Sequence, residues 1–82
     1  MKLNNEERTE LQKLKTKGWN YIFCTDEGYI AVSNIEPYRN SSWWDVDLDQ
    51  NGKIQELWDC ELFNFISYTD EEPYSIDKLL EN

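Results

Sequence analysis

The sequence predicts an α+β fold: an N-terminal helix, an antiparallel sheet of four or five strands built from hairpins, and a short C-terminal helix. Three observations carry this expectation. Residues 4–18 are ordered like a capped helix, two turn signals separate β-type segments, and Ser75 precedes a short stretch of helically spaced apolar residues. A chain of 82 residues is expected to form a single compact domain with a modest core.

The first helix is expected over 5–17. Asn4 suits the N-cap, Glu7 stands three residues on as in a capping box, and Gly18 fits the position just past the end. Glu6 and Glu7 precede Lys13, Lys15 and Lys17, an order that suits the helix dipole. Leu11 and Leu14, extended by Leu3, make a thin apolar stripe, so this helix should lie on a sheet with its other sides in water.

Residues 19–25 are aromatic and β-branched and read as a strand, Asp26-Glu27-Gly28 as a hairpin loop, and 29–34 as the returning strand. Pairing Thr25 with Tyr29 puts Ile22, Cys24, Ile30 and Val32 on one face, and Trp19, Tyr21, Phe23, Tyr29 and Ala31 on the other. A hairpin apolar on both faces belongs inside a sheet. Pro37 and Arg39-Asn40-Ser41 read as a loop. Residues 43–49 alternate like a strand, and Gln50-Asn51-Gly52 signals a second hairpin. Pairing Asp49 with Lys53 would gather Trp44, Val46, Leu48, Ile54 and Trp58 on one face. Residues 56–68 suit helical or strand spacing; the strand reading has a bend near Asp59 and a further strand beyond it. Residues 69–73 read as an exposed acidic loop. Ser75 should cap a short helix carrying Ile76, Leu79 and Leu80.

Charge and composition narrow the function. Eight Lys and Arg face 17 Asp and Glu, for a net charge of -9, and there is no His. Residues 1–18 carry five cations against three acids; residues 19–82 carry Arg39, Lys53 and Lys78 against fourteen, a net of -11. So acidic a chain disfavours direct binding of nucleic acid or an anionic membrane. Without His there is no His base, no Ser-His-Asp triad and no His metal ligand. Cys24 and Cys60 lie 36 residues apart outside any C-x-x-C motif and are expected to be free thiols. No cofactor or metal is expected, and the short chain leaves little room for a catalytic cleft. The first residues lack an apolar signal segment and no apolar run is long enough to span a bilayer, so a cytoplasmic location is expected.

The candidate site is acidic. On a strand, Asp45, Asp47 and Asp49 would project from one face about 6.6 Å apart, two residues at ~3.3 Å each. Such a row reads either as a solvated face guarding a strand edge or as an imitation of a phosphate backbone. Glu56, Asp59, Glu61 and the Asp70-Glu71-Glu72 loop could extend it. Tyr38 and Tyr74, each beside a proline, are the aromatic candidates for exposure. Residues 45–56 also resemble an EF-hand calcium loop in part, but neither register supplies both the Gly at position 6 and the Glu at position 12.

In size, charge and aromatic content the chain resembles the small acidic inhibitors of phages and mobile elements, such as anti-restriction and anti-CRISPR proteins. The leading expectation is a non-catalytic inhibitor of a basic, nucleic-acid-binding protein such as a nuclease. It would act by nucleic-acid mimicry or steric occlusion. An immunity protein to a nuclease toxin would use the same physics. A protein–protein interaction module, including a homodimer joined through aromatic surface, is the alternative.

Overall fold

A computed structural model describes residues 3–41, 43–58 and 60–81. Along the chain come α1 (Asn5–Thr16), β1 (Tyr21–Cys24), β2 (Ile30–Ser33), β3 (Tyr38–Asn40) and β4 (Trp43–Asp45). A 3-10 turn (Leu48–Gln50), β5 (Ile54–Leu57), β6 (Tyr74–Ser75) and α2 (Ile76–Leu80) follow. The main sheet is antiparallel with order β5-β2-β1-β6, and β3 and β4 form a separate two-stranded sheet. The fold is α+β, as the sequence implies.

Helix α1 starts where its cap demands. The Asn4 side chain accepts from the Glu7 amide at 2.8 Å, and Glu7 Oε1 accepts from the Asn4 amide at 3.1 Å, which completes the capping box. Past the helix, Gly18 takes φ 99°, a left-handed conformation that costs glycine little. Glu7 does more than cap, because its Oε2 accepts from the Phe63 amide at 2.8 Å.

The β1–β2 hairpin has the expected register, closed by the Thr25 amide donating to the Tyr29 carbonyl at 2.7 Å. It also lies inside the sheet, between β5 and β6. Ile22, Cys24, Ile30 and Val32 pack with Leu11 and Leu14 of α1, with Phe63 and Ile66, and with Ile76 and Leu79 of α2. The opposite face is covered by the small sheet, where Trp44 sits on Phe23 and Ala31 with 5.9 Å between the Phe23 and Trp44 ring centroids.

The second predicted hairpin is not formed. The strand beginning at Trp43 ends at Asp45, and its partner is β3, in the segment expected to be a loop. Residues 54–57 instead pair with β2. Asn34 decides this choice. Its amide donates to the Lys53 carbonyl at 3.4 Å, its Oδ1 accepts from the Lys53 amide at 2.7 Å, and its Nδ2 donates to the Asn51 carbonyl at 2.8 Å. The expected shared apolar face of Trp44, Val46, Leu48, Ile54 and Trp58 is therefore split. Trp44 and Val46 are buried, whereas Leu48 and Trp58 are 76% and 63% exposed.

The strand expected after Asp59 is absent among the described residues, and Asp59 with its bend lies outside them. Residues 60–66 run irregularly, with Phe63 at φ 66° and the Ile66 amide donating to the Phe63 carbonyl at 3.0 Å. Phe63 and Ile66 reach the core as two single anchors, held from outside the segment by Glu7. The C-terminal helix is as expected, with Ser75 Oγ accepting from the Lys78 amide at 3.4 Å.

Candidate interaction site

The regular row of carboxylates does not exist, because the strand that would have carried it stops at Asp45. Asp45 lies in β4, where its carboxylate accepts from the Val46 amide at 2.9 Å and the Asn40 side chain at 3.3 Å. Asp47 caps the 3-10 turn by accepting from the Asp49 amide at 2.9 Å, and Asp49 lies inside that turn. The acids of the partial calcium-loop likeness are not gathered either. Glu56 is in β5 paired with β2, and among the described residues no three His, Cys, Asp or Glu are grouped to hold a metal ion.

What the fold does bring together is the outer face of the β3–β4 hairpin. Opposite residues of an antiparallel pair share a face. Arg39 and Trp44 are opposite and turn inward; Tyr38 and Asp45 are opposite, as are Asn40 and Trp43, and these turn outward. Two site residues expected from sequence, Tyr38 and Asp45, are thus cross-strand neighbours. Tyr38 and Trp43 are each 49% exposed. The sequence signal for Trp43 as a further candidate is its neighbour: in a strand, adjacent Trp43 and Trp44 must face opposite ways.

The inward Arg39 fastens the acidic loop to this hairpin. Its Nη2 donates to the carbonyls of Tyr68 and Asp70 at 2.7 and 2.8 Å. Its guanidinium lies 4.0 Å from the centre of the Trp44 ring and 5.7 Å from that of Tyr68, close enough for cation–π attraction. Within the loop, Asp70 Oδ2 accepts from the Ser67 amide at 2.9 Å. The neighbouring Glu71 and Glu72 are exposed. Glu72 also lines a groove of about 590 Å³ with Glu36, Tyr21 and Tyr74, and Glu36 leads through Pro37 into Tyr38. The loop is thus tied to β3 through Arg39 and borders this groove at Glu72.

Tyr74 is half-buried rather than exposed, because β6 pairs it with β1 and its ring meets Phe65 edge-on at 5.5 Å. Burial pushes its phenol pKa up, and the charge of Asp70 adds to the shift. Burial likewise raises the Cys24 thiol, against a backbone hydrogen bond from Tyr68 and with help from Asp70. Both cysteines are free. The remaining acids lie elsewhere: Asp47 capping the 3-10 turn, Asp49 within it, Glu56 on β5, and Glu61 in a shallow groove with Trp58 and Glu10.

No protein-family model matches this chain, and neither a curated protein nor a solved structure is significantly similar to it. No helix among the described residues is long and apolar enough to cross a membrane. The site's own chemistry remains as a guide: exposed aromatic faces bordered by carboxylates suit a surface of Lys and Arg, which such groups attract through charge and cation–π contact.

Proposed function

We propose that this protein is a small, acidic, non-catalytic inhibitor of the anti-defence type, of which anti-CRISPR and anti-restriction proteins are examples. It acts in the cytoplasm, where it binds a basic, nucleic-acid-binding protein such as a nuclease and occludes the nucleic-acid site. The observation that supports this reading is the hairpin face, where exposed Tyr38 and Trp43 adjoin Asp45 and the Arg39-anchored loop bearing Asp70, Glu71 and Glu72. Exposed aromatics supply the central contact area and the carboxylates steer the approach. Occlusion by this compact face takes the place of a regularly spaced phosphate mimic.

The test is capture of partners from host lysate at low and high salt, followed by mass spectrometry. A basic nuclease or other nucleic-acid-binding protein should be retained at low salt and released as salt screens the carboxylates. Trp43→Ala should weaken the captured complex roughly 10- to 100-fold, the range of an interface hot spot, and Asp45→Lys should slow its association. Unchanged capture by a variant combining both substitutions would show that this face is not the site.

A further inference from the structure

The main sheet ends in one short edge and one longer edge. At the β6 side only two residues pair, but at the other side β5 runs four residues with β2 as its partner. The direction of the β5 backbone follows from its register. The Lys53 carbonyl accepts from the Asn34 amide, so Lys53 turns its backbone polar groups toward β2. Alternation along an antiparallel ladder then turns Gln55 and Leu57 the same way, and turns the amides and carbonyls of Ile54 and Glu56 outward. Among the described residues, no hydrogen bond reaches those outward groups. Natural edges are usually blocked by proline, by a bulge or by several charges. The segment from Lys53 to Trp58 has no proline, and its charges are one Lys and one Glu.

We propose that this β5 edge is a strand-addition site for an extended segment of alternating basic and apolar residues. The identity of that segment rests on the reading of the partner as a basic protein. The backbone donors and acceptors of Ile54 and Glu56 supply the pairing, as in other strand-addition complexes. Charge fixes the occupant. Glu56 stands mid-edge, and the strand runs into a shallow groove of about 330 Å³ that combines Glu10 and Glu61 with Leu57, Trp58 and Leu62. Ile54 shares the face of Glu56, and Trp58 follows the end of the strand; at 37% and 63% exposed they offer apolar contacts along the edge. A second copy of this chain would bring another net charge of -9 to an already acidic border.

The probe is a synthetic peptide of alternating Lys and Val, seven residues long, added to isotope-labelled protein. Amide exchange at Ile54 and Glu56 should be fast in the free protein and at least tenfold slower in the complex. A peptide of the same sequence and charge, N-methylated at alternate residues, should fail to protect them. Ile54→Pro removes an outward donor while sparing every β2–β5 bond, and should weaken peptide binding roughly tenfold with the fold intact. If that variant unfolds, the N-methylated peptide interrogates the same bonds from the other side. Equal binding of the two peptides would overturn the proposal. So would protection of Ile54 and Glu56 that develops with protein concentration alone, which would identify a second copy as the occupant. Partner capture that Trp43→Ala abolishes but Ile54→Pro leaves intact would refute the edge site and retain the inhibitor reading.

Discussion

Glu7 is the side chain through which the helix holds the irregular half of the core, and its removal can be assigned a magnitude. Glu7 is 9% exposed, and its carboxylate splits its two oxygens between two backbone donors, the Asn4 amide and the Phe63 amide. Glu7→Ala ends the reciprocal half of the capping box, worth about 1 kcal/mol. It also leaves the buried Phe63 N–H without an acceptor, which costs about 1–3 kcal/mol. The sum is about 2–4 kcal/mol, or a fall in Tm of roughly 10–25 °C for a domain of this size. Glu7→Gln keeps one acceptor for two donors and should lose about 1–2 kcal/mol. Asn4→Ala, which spares the Phe63 bond, should lose about 1 kcal/mol. Urea unfolding followed by tryptophan fluorescence and far-UV circular dichroism would give the order. If Asn4→Ala proves as costly as Glu7→Ala, the bond to Phe63 contributes nothing and the reasoning fails.

Other consequences are equally direct. A Cβ at Gly52 would stand 2.7 Å from the Asp47 carbonyl oxygen and 2.8 Å from Val46 Cβ, so Gly52→Ala should cost about 1–3 kcal/mol in chemical denaturation. Arg39→Ala removes the guanidinium bonds to the Tyr68 and Asp70 carbonyls. Limited proteolysis should then cut faster within 67–73, and Arg39→Lys, a point charge, should restore only part of the protection. Stability should fall at alkaline pH. The folded state raises the pKa of both the Cys24 thiol and the Tyr74 phenol, so the unfolded chain loses these protons first. The contribution is whole below the ordinary thiol value of 9.0 and is lost as pH climbs through the raised ones. Cys24→Ala should flatten the first part of that fall in a pH series of melting curves.

The parts of the fold legible in the sequence are those whose determinants are local. Asn4, Glu7 and Gly18 mark α1, and the Asp26-Glu27-Gly28 loop with its alternating flanks fixes the β1–β2 register. That this hairpin needs a strand on each side was also legible, because both its faces are apolar. Which strands would serve was not. The apolar alternation of 43–58 is satisfied equally by pairing with itself or by dividing, and the choice falls to Asn34, whose three bonds draw 51–53 to the end of β2. The strand-like composition of 62–66 misleads for a similar reason. Phe63 and Ile66 are apolar because each fills the core, not because a ladder passes through them. At the candidate site, the content of charge and aromatics was legible, and so was Tyr38. The regular carboxylate row was not sound, because it borrowed the geometry of a strand that ends at Asp45. Arg39, the organising cation, carries no local motif; its partners lie 29 and 31 residues away.

The C-terminal closure bears on how this chain is made. Tyr74 and Ser75 complete the sheet against β1, Ile76 donates from its amide to the Asn20 carbonyl, and α2 rests against α1. Arg8 reaches the Leu80 carbonyl and Lys15 pairs with Asp77, contacts that span 72 and 62 residues. During synthesis, β1 therefore waits with one open side, and the core beneath α2 stays unroofed, until residues 74–80 have emerged. Contacts this distant in sequence slow folding. A ribosome stalled short of residue 74 would therefore hold β1 paired on one side only, with the sheet still open where Tyr74 and Ser75 close it.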